Sequence, residues 1–238
     1  VSRYHTTVGA LRITYFSQAQ THFRSVVLSH CEFVKNIVDV DYGAVYIYNA
    51  NLILIVNSNF SHNKARRNSG TMHLAEAERI IIKNNIFAHN FAGLGGAAME
   101  IMFYSRTNAN VFVIFCLFIN NKVLDEAAVL YLQGVRIGKS LISGKIKGEF
   151  YTNFKSIGNK FYGNAIVQNK NQQNNRKGTG VLSVSTCSNV TFINCIFDKN
   201  SVTNNGGVAF VKMILSLLIH NCTFMKNHAV YSGGSIYT

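Results

Sequence analysis

A phenylalanine followed three residues later by an asparagine occurs seven times along this 238-residue chain: Phe33/Asn36, Phe60/Asn63, Phe87/Asn90, Phe118/Asn121, Phe161/Asn164, Phe197/Asn200 and Phe224/Asn227. Three of the six gaps between successive Phe residues are 27 residues long. Ten residues after the Phe comes a small residue: Gly43, Gly70, Ala97, Ala128, Gly207 and Gly234. In the Phe161 unit the corresponding Gly180 comes only after 19 residues, so that unit carries extra chain. A fixed period of this length confines the fold, because each unit can bury its apolar face only by stacking on its neighbours.

Within a unit the apolar residues fall at steps of two. Val26/Leu28, Ile53/Ile55, Ile80/Ile82, Val111/Val113, Val190/Phe192 and Leu217/Ile219 stand seven and five residues before the Phe. Val45/Ile47, Met72/Leu74, Met99/Ile101, Leu130/Leu132, Leu182/Val184 and Ala209/Val211 stand two and four residues after the small position. Spacing of two in β-branched and large apolar residues is strand spacing, and no unit offers the three-and-four spacing of a helical solenoid. Each unit reads as three short strands: one before the Phe, one around it and one after the Gly. Stacked in parallel about 4.8 Å apart, they predict an all-β parallel β-helix of about eight coils, roughly 35–40 Å tall. Gly9-x-Leu11-x-Ile13 and Gly233–Ile236 are partial units, and residues 1–238 form one domain around a continuous core. The Phe is expected to fill the interior and stack on the next coil's Phe. The Asn is expected to turn the chain through left-handed backbone and local peptide bonds, and the Gly to open a tight corner.

The pairing of CIFDKN (195–200) with GGVAF (206–210), and of CTFMKN (222–227) with GGSIY (233–237), resembles the chlamydial polymorphic outer membrane protein repeat. The resemblance covers nearly the whole chain, with Ala97 and Ala128 departing from its Gly. It implies a right-handed, pectin-lyase-like β-helix with a surface or passenger role and no enzymatic activity.

No apolar run approaches the length of a membrane span, and the chain begins and stops within a repeat. A fragment of a longer extracellular or cell-surface protein is expected, with any signal or membrane anchor outside it. Of five cysteines, Cys31, Cys116, Cys195 and Cys222 share the register two residues before the Phe, where other units place Ser58, Asn85 and Asn159. Alternation with the Phe points this register inward, so buried thiols are expected. A vertical disulfide between Cys195 and Cys222 is sterically open but not required. The sequence lacks Cys-x-x-Cys and His-x-x-x-His pairs, so no metal or other cofactor is expected. Asn59, Asn189 and Asn221 begin Asn-x-Ser/Thr sequons, which matter only in a secreted eukaryotic protein.

The net charge is +13, and between Gly134 and Thr179 nine basic residues stand against Glu149 alone. This stretch reads as one inserted excursion with a flexible polar loop at 168–177. A second basic register, two residues after the Phe, holds Lys35, His62, His89, Asn120, Gly163, Lys199 and Lys226 and faces outward. Lys139, Lys145, Lys147, Lys170, Arg176, Lys177, Lys199 and Lys226 are therefore the candidate contacts for a polyanion. Polysaccharide lyases and hydrolases share this architecture, but their chemistry needs clustered carboxylates. Asp39 and Asp41 share a face, yet the next coils place Arg66/Asn68 and Gly93/Gly95 there. The glutamates are scattered, and no Ser/His/Asp arrangement assembles from the spacing. Nucleic-acid binding would need exposed aromatics among the lysines; of Tyr151, Phe154, Phe161 and Tyr162, Phe161 belongs to the core and Phe154 is assigned there as well. The expectation is a non-catalytic structural or adhesive module contacting anionic glycans or other cell-surface components, without nucleic acid.

Overall fold

Strand pairing follows the repeat, and every pair of strands is parallel. The computed structural model describes residues 9–15, 23–104, 108–124, 128–134, 152–167, 180–203, 208–230 and 234–237. Among these there is no helix; the strands form three sheets of 13, 7 and 7 strands, wound as a parallel β-helix. One seven-stranded sheet is the stack of Phe strands, from Glu32–Val34 through Asn59–Ser61 and Ile86–Ala88 to Thr223–Met225. The largest sheet joins the leading strands (Ser25–Ser29, Leu52–Val56, Arg79–Lys83, Asn110–Ile114, Asn153–Ile157) to the post-Gly strands (Val45–Tyr48, Met72–Ala75, Met99–Met102, Leu130–Gln133). In the last coils the two kinds fuse into single strands, Leu182–Ile193 and Ala209–His220.

The third sheet is a finding beyond the three strands per coil read from the repeat. It consists of two-residue strands just after the Asn, such as Ile37–Val38, Lys64–Ala65 and Phe91–Ala92. Two residues are too few to show alternation, so sequence spacing has nothing to detect.

The Phe column is as expected. Rings of Phe33, Phe60, Phe87, Phe118, Phe161, Phe197 and Phe224 stack in order with centroids 5.1, 5.0, 5.0, 4.5, 4.8 and 4.9 Å apart and planes within 8°. The five inner rings are fully buried, each worth about 1.5–3 kcal/mol in apolar burial. The inward leading and post-Gly positions complete one continuous core.

The Asn column corrects the expectation of a local turn former. Asn36, Asn63, Asn90, Asn121, Asn164 and Asn200 each donate from both backbone N–H and Nδ2 to the Oδ1 of the next coil's Asn, over 2.8–3.1 Å. From Asn63 onward, Nδ2 also donates to the Phe carbonyl of the preceding coil. The bonds run from coil to coil, not locally. Asn227 departs further from the expected role, because it is the last member of the ladder. Its Oδ1 accepts from the backbone N–H and Nδ2 of Asn200 at 3.0 and 3.1 Å, and its Nδ2 donates to Phe197 O at 2.9 Å. Among the described residues no further Asn lies beyond it to accept in turn, and it is half-buried where Asn63 to Asn200 are buried. Asn227 thus serves the coil before it and turns nothing itself.

The left-handed residue is the one before the Asn: Lys35, His62, His89, Asn120, Gly163, Lys199 and Lys226 all have φ between 50° and 63°. A second left-handed corner lies three residues before each Phe, from His30 to Asn221.

The glycines also act by proximity. Gly43 and Gly70 lie outside the left-handed region, and a Cβ on either would collide with a carbonyl of the neighbouring coil. The left-handed turn falls one residue earlier, at Tyr42, Ser69 and Gly96. Ala97, Ala128 and Gly180 are buried in the same register, Gly234 is exposed in the last turn, and Gly207 lies outside the described residues.

The stretch 134–179 is not a single excursion, because its middle belongs to the solenoid. Residues 135–151 and 168–179 lie outside the described set, but between them Asn153–Ile157, Lys160–Tyr162 and Ala165–Ile166 rejoin all three sheets in register. Phe154 and Phe161 are both in the core.

Candidate functional site

Six of the candidate polyanion contacts, Lys139, Lys145, Lys147, Lys170, Arg176 and Lys177, lie outside the described residues. Lys199 and Lys226 are on the left-handed corner after the Phe strand, where His62 and His89 also stack at 5.0 Å. Lys199 is not a free cation. Its Nζ donates to Tyr162 Oη at 3.2 Å and lies 5.2 Å from that ring's centre, and this hydrogen bond is the main cause of its raised pKa.

A groove of about 270 Å³ runs across the outward face of the leading strands. One wall is a row of carboxamides in register, Asn110, Asn153 and Asn189, in which Asn153 Nδ2 donates to Asn110 Oδ1 at 3.2 Å and Asn189 Nδ2 to Asn153 Oδ1 at 2.8 Å. The parallel row is Phe112, Lys155 and Thr191. Arg79 stands over Phe112 with its guanidinium 5.6 Å from the ring centre. Among the described residues each carboxamide keeps at least one N–H for a ligand; Arg79 continues the row beside Asn110, and Lys155 stands in the parallel row. Thr152, the first described residue after 135–151, immediately precedes Asn153. Of the basic residues between Gly134 and Thr179, Lys155 lies in the lining of this groove.

A second polar cluster occupies the outward face of the post-Gly strands. Pairing places Tyr46, His73, Glu100 and Tyr131 side by side on four successive coils. His73 is only 4% exposed. A carboxylate can only accept, so His73 Nδ1–H donates to Glu100 Oε2 at 3.0 Å, and the buried Ser69 hydroxyl donates to the same oxygen. Tyr46 stacks on the imidazole at 5.4 Å and 8°, and Tyr42 tilts over both rings at 4.7 and 4.6 Å. Tyr42 reaches them because its backbone is left-handed, with φ 66°, an uncommon state for a bulky side chain. Beyond Glu100, Tyr104 donates its backbone N–H to the buried carboxylate of Glu76.

The electrostatics of this cluster are negative. Burial, then Tyr46 and the charges of Glu100 and Asp41, push the Tyr42 phenol well above its ordinary range. Partial burial and then Glu100, with smaller contributions from Tyr46 and Glu76, push Tyr104 up to about 12. Glu100 acts in the same direction on Tyr131, after burial. Two of the glutamates that look scattered in sequence, Glu76 and Glu100, are therefore brought together by the winding of the chain. The signal was present three residues after the small position, between the two apolar positions that define the strand. Ser69 and Glu100 both crowd one ring nitrogen, with the Ser69 proton directed at the carboxylate. Nucleophile activation requires the serine on the opposite ring nitrogen from the acid, so this is a hydrogen-bonded anchor for the imidazole and not a triad.

Among the described residues no group of three or more His, Cys, Asp or Glu could hold a metal ion, and no helix is long and apolar enough to cross a membrane. No protein-family model matches the chain, and no curated protein or solved structure shows significant similarity to it.

Proposed function

We propose that this chain is a non-catalytic structural and adhesive module of an extracellular or cell-surface protein, and that it contacts acidic glycans along the leading-strand groove. The single observation that carries this reading is the groove itself: a row of carboxamides continued by Arg79 at one end and bordered by Lys155 in the parallel row, on the solvent face of a sheet whose inner face is core. Neutral amide donors beside fixed cations suit the carboxylates and sulfates of an acidic polysaccharide. The likeness of the repeat to polymorphic outer membrane proteins supports a right-handed, pectin-lyase-like helix with a display role. Polysaccharide cleavage has less support: Asp41 is bonded by Asn68, Glu76 by the Tyr104 N–H and Glu100 by Ser69 and His73, and among the described residues they form no group that could hold a metal ion. Nucleic-acid binding has less support because Phe154 and Phe161 are committed to the core.

Retention on immobilised heparin tests the proposal. Neutralising Arg79 and Lys155 to Gln, or Lys139, Lys145, Lys147, Lys170, Arg176 and Lys177 together, should each advance elution to lower salt. Coelution of both variants with the parent would place binding elsewhere. Failure of the parent to bind at low salt would leave the charge as a solvated surface.

A further inference from the structure

The cluster on the post-Gly strands has the opposite electrostatic preference from the groove, and the surface-module reading leaves it unused. Three carboxylates, Asp41, Glu76 and Glu100, act on its tyrosines. Arg12 is the described cation against it, 5.5 Å from the outer face of Tyr46. Asp41 is engaged by the amides of Asn68, and Glu76 by the Tyr104 N–H. Glu100 differs: Ser69 and His73 both use Oε2, and among the described residues Oε1 has no partner. His73 commits Nδ1–H to Glu100, and its Nε2 likewise has no partner among the described residues. Both groups are pre-oriented by bonds on their far side, as a recognition site requires.

The shape is that of a short track. Tyr46, His73, Glu100 and Tyr131 lie one coil apart, so the row is about 14 Å long at the strand spacing. Arg12 covers the outer face of Tyr46 and His73 its inner face, so the aromatic surface open beside the polar groups is that of half-buried Tyr131 and exposed Tyr104. A pyranose offers a flat C–H face to such a ring and equatorial polar substituents to the groups alongside, whereas an isolated small cation would use one point of the row. The negative field disfavours uronate or sulfate and favours a protonated amine, which can donate to Glu100 Oε1 and lie against tyrosine faces.

We propose that Tyr46, His73, Glu100 and Tyr131, bordered by Tyr42 and Tyr104, form a second binding site, for an oligosaccharide of hexosamine units with free amino groups. The site shares with the proposed function only the premise that the module meets glycans. It does not depend on the groove, and its ligand carries the opposite charge.

The test is calorimetric titration of the folded protein with a fully deacetylated glucosamine oligomer, in mildly acidic buffer where the amines are protonated. The N-acetylated oligomer and a lysine-rich peptide serve as comparisons. Saturable binding of the deacetylated oligomer is expected. Glu100→Gln, which keeps the shape and removes the charge, should weaken it about tenfold. Tyr104→Ala, at an exposed position, should weaken it without unfolding the coil, while Arg79→Gln with Lys155→Gln should leave it unchanged. Native circular dichroism of both site variants guards against reading an unfolded protein as a binding loss. Equal binding of the N-acetylated oligomer would overturn the requirement for an amine. Equal binding of the peptide, with the same loss in Glu100→Gln, would overturn the saccharide. Absence of binding by the parent protein, or unchanged affinity in both folded site variants, would overturn the site. Heparin retention can fail while this binding survives, and the reverse.

Discussion

Replacing Asn90 with alanine should unfold the middle of this solenoid more effectively than its small change in volume suggests. Asn90 Oδ1 accepts from the backbone N–H and Nδ2 of Asn63 at 2.9 and 3.1 Å, and its Nδ2 donates to Phe60 O and Asn121 Oδ1, both at 2.9 Å. Alanine removes all four bonds. The Asn63 side chain keeps the Phe33 carbonyl, but the buried Asn63 backbone N–H loses its acceptor. A stranded buried donor costs about 1–3 kcal/mol and each further lost bond roughly 0.5–1.5, so the total is on the order of 3–7 kcal/mol. That is comparable with the whole stability of an ordinary domain, about 5–15 kcal/mol. Asn36→Ala, on the first described coil of the ladder, removes among the described residues only the bond from Nδ2 to Asn63 and should cost roughly 1 kcal/mol. Asn90→Asp keeps an acceptor for Asn63 but turns its other oxygen toward Phe60 O and Asn121 Oδ1. The fold then favours the protonated acid, so the variant's penalty is small below the free-acid pKa of about 3.9 and grows as pH rises above it. Urea midpoints by circular dichroism measure the losses, and hydrogen exchange at the Asn63 amide locates them. Equal midpoints for Asn36→Ala and Asn90→Ala, with the Asn63 amide still protected, would refute the ladder as a source of stability.

Phe197→Ala should cost roughly 3–5 kcal/mol, because the ring is fully buried between Phe161 and Phe224; an unchanged melting temperature would show that the column contributes nothing. Half-exposed Cys31 and Cys222 should react with a thiol reagent in the native state, while Cys116 and Cys187 react only on unfolding, as followed by mass spectrometry of labelled peptides. Burial pushes the Cys116 thiol up to about 11 and Cys187 up to about 12. The stability they contribute as neutral thiols is complete below their ordinary value of 9.0 and is lost as pH rises toward those values, so urea midpoints should fall with pH on the alkaline side of 9. Gly43→Val should destabilise more than Ala128→Gly, since a Cβ on Gly43 meets the Gly70 carbonyl whereas residue 128 already carries one; thermal melts of the two variants decide this.

Most of the architecture was legible because it depends on residues that recur. Phe at a fixed register, with apolar pairs two residues apart on either side, can mean little but stacked parallel strands. The role of Asn is misread from sequence because its usual behaviour in turns is local, whereas the bonds from Asn63 to Asn90 and from Asn200 to Asn227 exist only after the coils have stacked. The glycine is misread for a related reason: the carbonyl it must clear belongs to another coil. The candidate sites were less legible still. Asn110, Asn153 and Asn189 have no constant spacing in the chain, and His73 and Glu100 meet on a register that the apolar pattern skips. Residues that recur reveal the fold, while those that differ from coil to coil define the binding faces and give no periodic signal.

The ladder bond from Asn121 to Asn164 spans 43 residues of chain and is 3.0 Å long, as good a bond as the 27-residue step from Asn63 to Asn90. The rod therefore works as a ruler graduated in coils, and numerical distance along the polypeptide does not measure separation along its axis. The extra chain between Asn121 and Asn164 leaves the ladder between those two coils unchanged. A mutation at one address is felt first one graduation away, at a partner whose residue number only the coil count can predict.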